Sequence, residues 1–364
     1  MRRCLHSVIL SLLFAACAYA QTTLPVSVVR QIDQVVEQAR EKDHLPAVSV
    51  AVAIHGEVVF KKAYGYADLE NNVIATPETL FRTASIAKSI TAVGALELTE
   101  QGKLNLDTPI QKYCPAFPEK PWPITTRQLL GHLAGIREYQ NREIFSTVHY
   151  VNTIDGMSFF KNDPLLSEPG TKYAYTTFGY TVVGCVMEGA SNEKYFEYML
   201  EHVFRPAGME HTFVDDVFTI VPHRARGYAF LNGRVINAPL TDSSYKIPGG
   251  GLVSTPEDLV KFGSAVMAGK LLKPQSVAEM WTPQKTRDGS STHYGMGWGQ
   301  AELDGEVIYA HSGSQPGTRT SLFVIPSRKM AFALMVNMDN ADAPGLNREI
   351  GGVVLKAIPP VRSQ

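Results

Sequence analysis

Apolar residues at Val28, Ile32, Val35, Val36 and Ala39 recur three and four positions apart, which predicts an amphipathic helix over about 27–43. The period then changes. In VSVAVAI (48–54) β-branched residues alternate with small ones, His55-Gly56 interrupts, and EVVFKKAYG follows, predicting two strands joined as a hairpin. From Ser85 to Gln101 apolar residues occupy most faces, the pattern of a helix buried at the centre of a fold, and Gly102 supplies a stop. Further helices are expected at 125–133, 179–190, 194–203 and 256–267, with a small hairpin at Asn232-Gly233. Strand patterns return in YGMGWGQAEL and EVIYAHSG on either side of Asp304-Gly305, and in RTSLFVIP and KMAFALMVN. A helix over about 345–357 ends the chain. Strands at both ends around a helical middle predict an α/β (α+β) fold with one sheet built from both termini, about 21–84 and 290–364. A mainly helical lobe, about 85–289, is then an insertion, and a cleft lies between the two.

Composition narrows the setting. The 364 residues suffice for one large domain, and a formal charge of -1 without a basic run gives no electrostatic footprint for nucleic acid. Residues 1–20 stand apart: Arg2 and Arg3, an apolar run from Val8 to Ala16, then Ala18-Tyr19-Ala20. That is the order of a secretory signal peptide, and the run is short for a membrane span. The mature chain is expected to begin at Gln21, to lack a transmembrane span, and to be exported to a periplasm or secreted as a single domain, 21–364. Two alternatives stay open, a lipoprotein anchored at Cys17 and a mitochondrial presequence. Cys4 and Cys17 fall in the leader. Cys114 and Cys185 are free to pair, although spacing does not show it, and Cys185 in TVVGCVMEGA reads as a small hydrophobe.

The chemistry centres on TLFRTASIAKSITAVGAL (79–96). A serine needs a base within hydrogen-bond reach to act as a nucleophile. Neither Gly-x-Ser-x-Gly nor HExxH, CxxC or a Walker loop occurs, so no metal or organic cofactor is implied. Ser85 and Lys88 are three apart at the start of the apolar helix and share a face. Burial there would disfavour the ammonium and bring Lys88 toward pKa ~7–8, the range of a general base. Ser158/Lys161, Ser191/Lys194 and Ser243/Lys246 repeat the spacing in turn-rich or capping settings and read as structural.

Ser85-Ile86-Ala87-Lys88 resembles the SxxK motif of penicillin-binding proteins and class C-type serine β-lactamases. RQLLGHLAGIREY, PGTKYAYTTFGYTVVG, PGGGLVSTPEDLVKFG, YGMGWG and HSGSQPGT agree in order, so the likeness covers nearly the whole mature chain. Within that group, FKNDPLL, SYKIPGGGLVST and EMWTP look most like the mitochondrial serine β-lactamase-like branch. The resemblance implies a β-lactamase/transpeptidase-like fold and an acyl-enzyme serine hydrolase. Its Tyr-x-Asn motif falls on Tyr175-Thr176-Thr177, with Tyr175 working beside Lys88 and Thr177 in the place of the substrate-binding asparagine. Its Lys-Thr-Gly motif falls on His311-Ser312-Gly313, where His311 helps Tyr175 return a proton and Gly313 admits the substrate backbone. The backbone N–H groups of Ser85 and Ser314 would stabilise the oxyanion. Imidazole is largely neutral at pH 7, so a fixed cationic clamp for a carboxylate is lost, and Arg319 is one candidate to replace it. The expected partner is a small peptide or amide, with β-lactams or esters as the alternative. An acylable sensor or scaffold without turnover is the competing class, and a homo-oligomer or filament stays open.

Overall fold

The computed structural model describes residues 23–359; the expected leader, residues 1–20 with its Cys17 alternative, lies outside them. Helix α1 (Val26–Asp43) precedes a hairpin of β1 (Ala47–Ile54) and β2 (Glu57–Asp68), and β3 (Val73–Ile74) adds a short edge. Four strands from the far end complete the sheet: β4 (Gly299–Leu303), β5 (Glu306–Gln315), β6 (Thr318–Ile325) and β7 (Met330–Val336). The order is β3-β2-β1-β7-β6-β5-β4, and β1 pairs antiparallel with β7 over Val48↔Val336 to Ile54↔Met330. Every pairing in this seven-stranded sheet is antiparallel. The first and last parts of the chain therefore build one sheet, as the strand pattern predicts.

The alternation in β1 divides two cores. Val48, Val50, Val52 and Ile54 join Phe332, Leu334, Ile32, Val36 and the last helix's Ile350 and Val354 in one cluster. Ala47, Ala51 and Ala53 face the other way, into the larger cluster that includes the helical middle. Small residues on that face let the helix Pro256–Met267 lie close. A methyl added at its Gly263 would sit 2.7 Å from Val324 Cγ1. The helix opposite, Ala343–Ala357, is capped by Asp342, whose side chain accepts from Gly345 N.

Helix α2 (Ile86–Glu100) is the axis of the middle segment, with every residue from Ile86 to Leu96 buried. It packs against α3 (Thr177–Ser191) and the helical turn Ile247–Gly250. Cys114 and Cys185, both buried, form a disulfide with Cα atoms 5.5 Å apart, so Cys185 is a paired cysteine as well as a hydrophobe. The strand pattern overreaches at YGMGWG. Residues 294–298 are loop because Gly297, at φ +80°, lies against α2, where a Cβ would meet Lys88 O at 2.9 Å. Among the described residues, no helix is long and apolar enough to cross a membrane.

Candidate active site

Ser85 caps the N-terminus of α2, held there by what precedes it. Phe81–Arg82 is a short strand paired with Leu252–Ser254. Arg82 is tied to Asp215 at 2.7 Å and donates to Thr241 Oγ1 at 2.9 Å, and Asp215 also pairs with Arg224 at 3.1 Å. Ala84 sits at φ +47°, a left-handed conformation that costs a non-glycine residue about 1–3 kcal/mol. The strain is spent on the sharp bend that delivers Ser85 from strand to helix.

One turn into α2, Lys88 has no exposed surface. Its Nζ donates to Ser85 Oγ at 3.0 Å, Thr177 Oγ1 at 3.1 Å and the Gly249 carbonyl at 2.7 Å. Desolvation lowers its pKa to about 7, partly opposed by the Glu138 carboxylate. The amine is thus surrounded by oxygen acceptors yet lacks an ion pair, so its neutral form is accessible near neutrality. The Gly249 contact explains the glycine run after Pro248. A Cβ at Gly249 would meet Thr177 Cγ2 at 2.8 Å.

Tyr175 stands just before α3, its ring centroid 4.9 Å from Lys88 Nζ, and it lines the same cavity as Ser85. Burial raises its pKa, whereas 36% of the side chain remains open to the cleft. Two residues that the sequence leaves unmarked place it. His132, fully buried at φ +58°, accepts from Thr176 N at 3.2 Å and lies 4.3 Å from the Tyr175 ring. Burial and the nearby Lys88 hold its pKa well below the usual imidazole value. Glu138 accepts from Thr177 N, at the start of α3 where a carboxylate also suits the helix dipole.

The opposite wall is the end of β5. Its pairing with β4 stops at Ala310↔Gly299, so residues 311–315 leave one edge without a partner strand. His311 is buried there. Its Nδ1 faces the Ser312 carbonyl at 2.7 Å, an acceptor only, so Nδ1 carries the proton. Nε2 therefore accepts from Tyr294 Oη at 2.9 Å. Desolvation and Lys88 lower its pKa to about 3, leaving a neutral ring 6.3 Å from the Tyr175 ring. Gly313 has a packing use in this structure. A Cβ there would lie 2.5 Å from Thr83 O and 2.9 Å from Ala84 Cβ, so its bareness lets β5 pack against the residues before Ser85.

These walls enclose a cavity of about 340 Å³ lined by Ser85, Glu138, Tyr175, Thr177, Lys246, His311, Ser314 and Gln315, among others. Neither Lys88, one turn below Ser85, nor Gly313, within β5, lines it. A larger cavity, about 570 Å³, beside Arg82 and Arg224 holds no such base and nucleophile. Arg319 turns away, donating to the Gln315 and Thr318 carbonyls. Among the described residues no group of three or more His, Cys, Asp or Glu could hold a metal ion.

Comparison with known proteins identifies the chain's family and fold. A family model described as Beta-lactamase matches residues 32–354. The mitochondrial serine beta-lactamase-like protein LACTB of Homo sapiens is 32% identical over 385 positions, covering 79% of this chain and 70% of that protein. Among solved structures, the octameric penicillin-binding protein homologue from Pyrococcus abyssi superposes with a TM-score of 0.80 at 25% identity, covering 90% of this chain and 77% of that one. The D-amino acid amidase from Ochrobactrum anthropi SV3, complexed with L-phenylalanine amide, gives 0.76 at 26% identity over 93% and 100% of the two chains.

Proposed function

Because the chain belongs to the β-lactamase family, we propose that it is a serine hydrolase working through an acyl-enzyme on Ser85, with small amides and peptides as substrates. The observation that carries this reading is the 3.0 Å contact between Ser85 Oγ and a buried lysine whose pKa lies near 7. Ser85 Oγ attacks the carbonyl carbon and its proton passes to Lys88 Nζ. The oxyanion that forms faces the backbone N–H groups of Ser85 and Ser314. The C–N bond then breaks as the Tyr175 hydroxyl protonates the leaving nitrogen and is refilled from Lys88. Water, activated by the same groups in reverse, cleaves the ester and frees Ser85. His311, neutral with both nitrogens committed, is assigned a positioning role in place of the proton-returning one that the sequence suggests. The amidase relative favours amides over esters or β-lactams, which share this chemistry and form the second reading.

Amine release from D- and L-amino acyl amides, with penicillin and short-chain esters alongside and the Ser85→Ala protein as blank, tests the assignment. Ser85-dependent amide turnover supports it. Turnover of esters or β-lactams alone moves the protein to the second reading, and a stable adduct without turnover makes it an acylable sensor.

Glu138→Gln keeps an acceptor for Thr177 N but removes the charge that holds the Lys88 proton. The acid limb of the kcat/KM profile is expected to move to lower pH; an unmoved limb would detach Glu138 from the base.

Export is supported by the buried Cys114–Cys185 disulfide, since such bonds persist in oxidising compartments. Protein recovered from the periplasm or medium should begin at Gln21 by mass; recovery only in the reducing cytosol with Met1 in place would refute export.

A further inference from the structure

The serine–lysine repeat dismissed at Ser243/Lys246 leads back into the cleft. The turn Ser244–Lys246 runs directly into the helical turn Ile247–Gly250, whose Gly249 carbonyl receives Lys88. One short segment thus sets both the base and a second lysine, for which the chemistry of Ser85 has no use. Lys246 is 2% exposed and lines the cavity of Ser85. Its Nζ lies 5.5 Å from the Tyr139 ring centroid and 5.3 Å from that of Tyr245, and it makes no hydrogen bond or ion pair with any described residue. Ser243 Oγ and Gln315 Nε2 are unpartnered and sealed from solvent, whereas Lys246 Nζ is unpartnered and reached from the cavity. The anions that act on it are spent elsewhere: Asp215 is held between Arg82 and Arg224, and Glu138 accepts from Thr177 N. Burial, then repulsion from Arg82 and Lys88, lowers its pKa to about 7.

A lysine stripped of water and set beside other cations is an amine nucleophile, the kind that condenses with carbonyl compounds. We propose that Lys246 is a second covalent site in the cleft, where its amine captures apolar aldehydes as imines. The Nζ lone pair attacks the carbonyl carbon, and a proton moves from nitrogen to the new alkoxide oxygen. The carbinolamine then loses that oxygen as water, leaving C=N. No oxidant or reductant enters, and hydrolysis returns the amine and the aldehyde. Ile144, Tyr139 and Tyr175 in the cavity lining suit an aldehyde with an apolar body, and the absence of a free anion beside Nζ leaves nothing to hold it as a spectator ammonium. At pH 7 the fraction of such an amine that is unprotonated is about 10³-fold larger than that of a lysine at its ordinary value. The site goes beyond the acyl-enzyme reading and does not depend on it.

Butyraldehyde with cyanoborohydride, which reduces an imine to a stable secondary amine, tests this on the folded protein, with the modified lysines located by peptide mass. At pH 7 Lys246 should gain its butyl group at least 10-fold faster than any exposed lysine, and equally in Ser85→Ala. The lead should shrink by pH 10, where exposed lysines also release protons, and vanish when the chain is unfolded in urea. Labelling of Lys246 no faster than that of exposed lysines overturns the proposal, as does a preference for Lys88 or a lead that persists in urea. Labelling of Lys246 in a protein without Ser85-dependent turnover supports the site and sinks only the acyl-enzyme reading.

Discussion

Ser85→Ala abolishes covalent labelling by a fluorophosphonate and lowers turnover by about 10³-fold or more, the scale seen when a nucleophile is removed from a site whose other groups remain. The fold should survive it. Ser85 is only one of three partners of Lys88, and the Thr177 and Gly249 contacts stay to hold the amine. A thermal midpoint close to wild type alongside lost labelling is therefore the expected pair of results. Retained labelling would place the nucleophile elsewhere, and the three other Ser-x-x-Lys pairs would be the first positions to examine. A collapsed fold would mean that Ser85 is structural.

Lys88→Arg separates charge from basicity. Arginine keeps the positive charge but does not release a proton in proteins, so a general base is lost while a cation is retained. Turnover is expected to fall by about 10²- to 10⁴-fold. In the wild type, kcat/KM should decline as pH drops below about 7, where the Lys88 amine takes up its proton. Near-normal rates in Lys88→Arg would show that the residue acts as a fixed charge. Stability carries the same signature. The folded pKa of about 7 lies below the ordinary lysine value of about 10.5, so between the two the unfolded chain binds a proton that the folded chain does not. Stability must rise with pH across that window from this group, and its penalty is fully present below about 7. Lys246, also near 7, adds in the same direction. Denaturation midpoints from pH 7 to 10 should climb less steeply in Lys88→Met than in wild type. Equal slopes would mean that the amine is not desolvated in the folded protein.

What could be read directly from the chain is whatever depends on local period and short spacing. The alternation of Val48, Val50, Val52 and Ile54 with alanines specifies a strand with one bulky and one small face, and the structure uses both. The capping Thr255 marks the start of Pro256–Met267, where its side chain accepts from Asp258 N. Ser85 and Lys88 meet because residues three apart on a helix share a face, which needs no tertiary contact at all. Tyr175, His311 and Ser314 were reachable only because their motifs resemble those of a family, since nothing in their spacing brings them to Ser85.

The tertiary structure alone decided the rest, for one physical reason: burial and partnership are set by residues distant in the chain. Glu138 acts on Thr177 from 39 positions away, and Lys88 finds the Gly249 carbonyl at 161. Cys114 meets Cys185 at a separation of 71. Nothing in the sequence marks His132 until its ring is seen 4.3 Å from that of Tyr175, nor the bareness of Gly313 as a packing need until Ala84 is found against it. Lys246 differs from its look-alikes at 161 and 194 in no local feature. What sets it apart is that folding removes its water, gives it no anion and turns it toward the nucleophile's cleft.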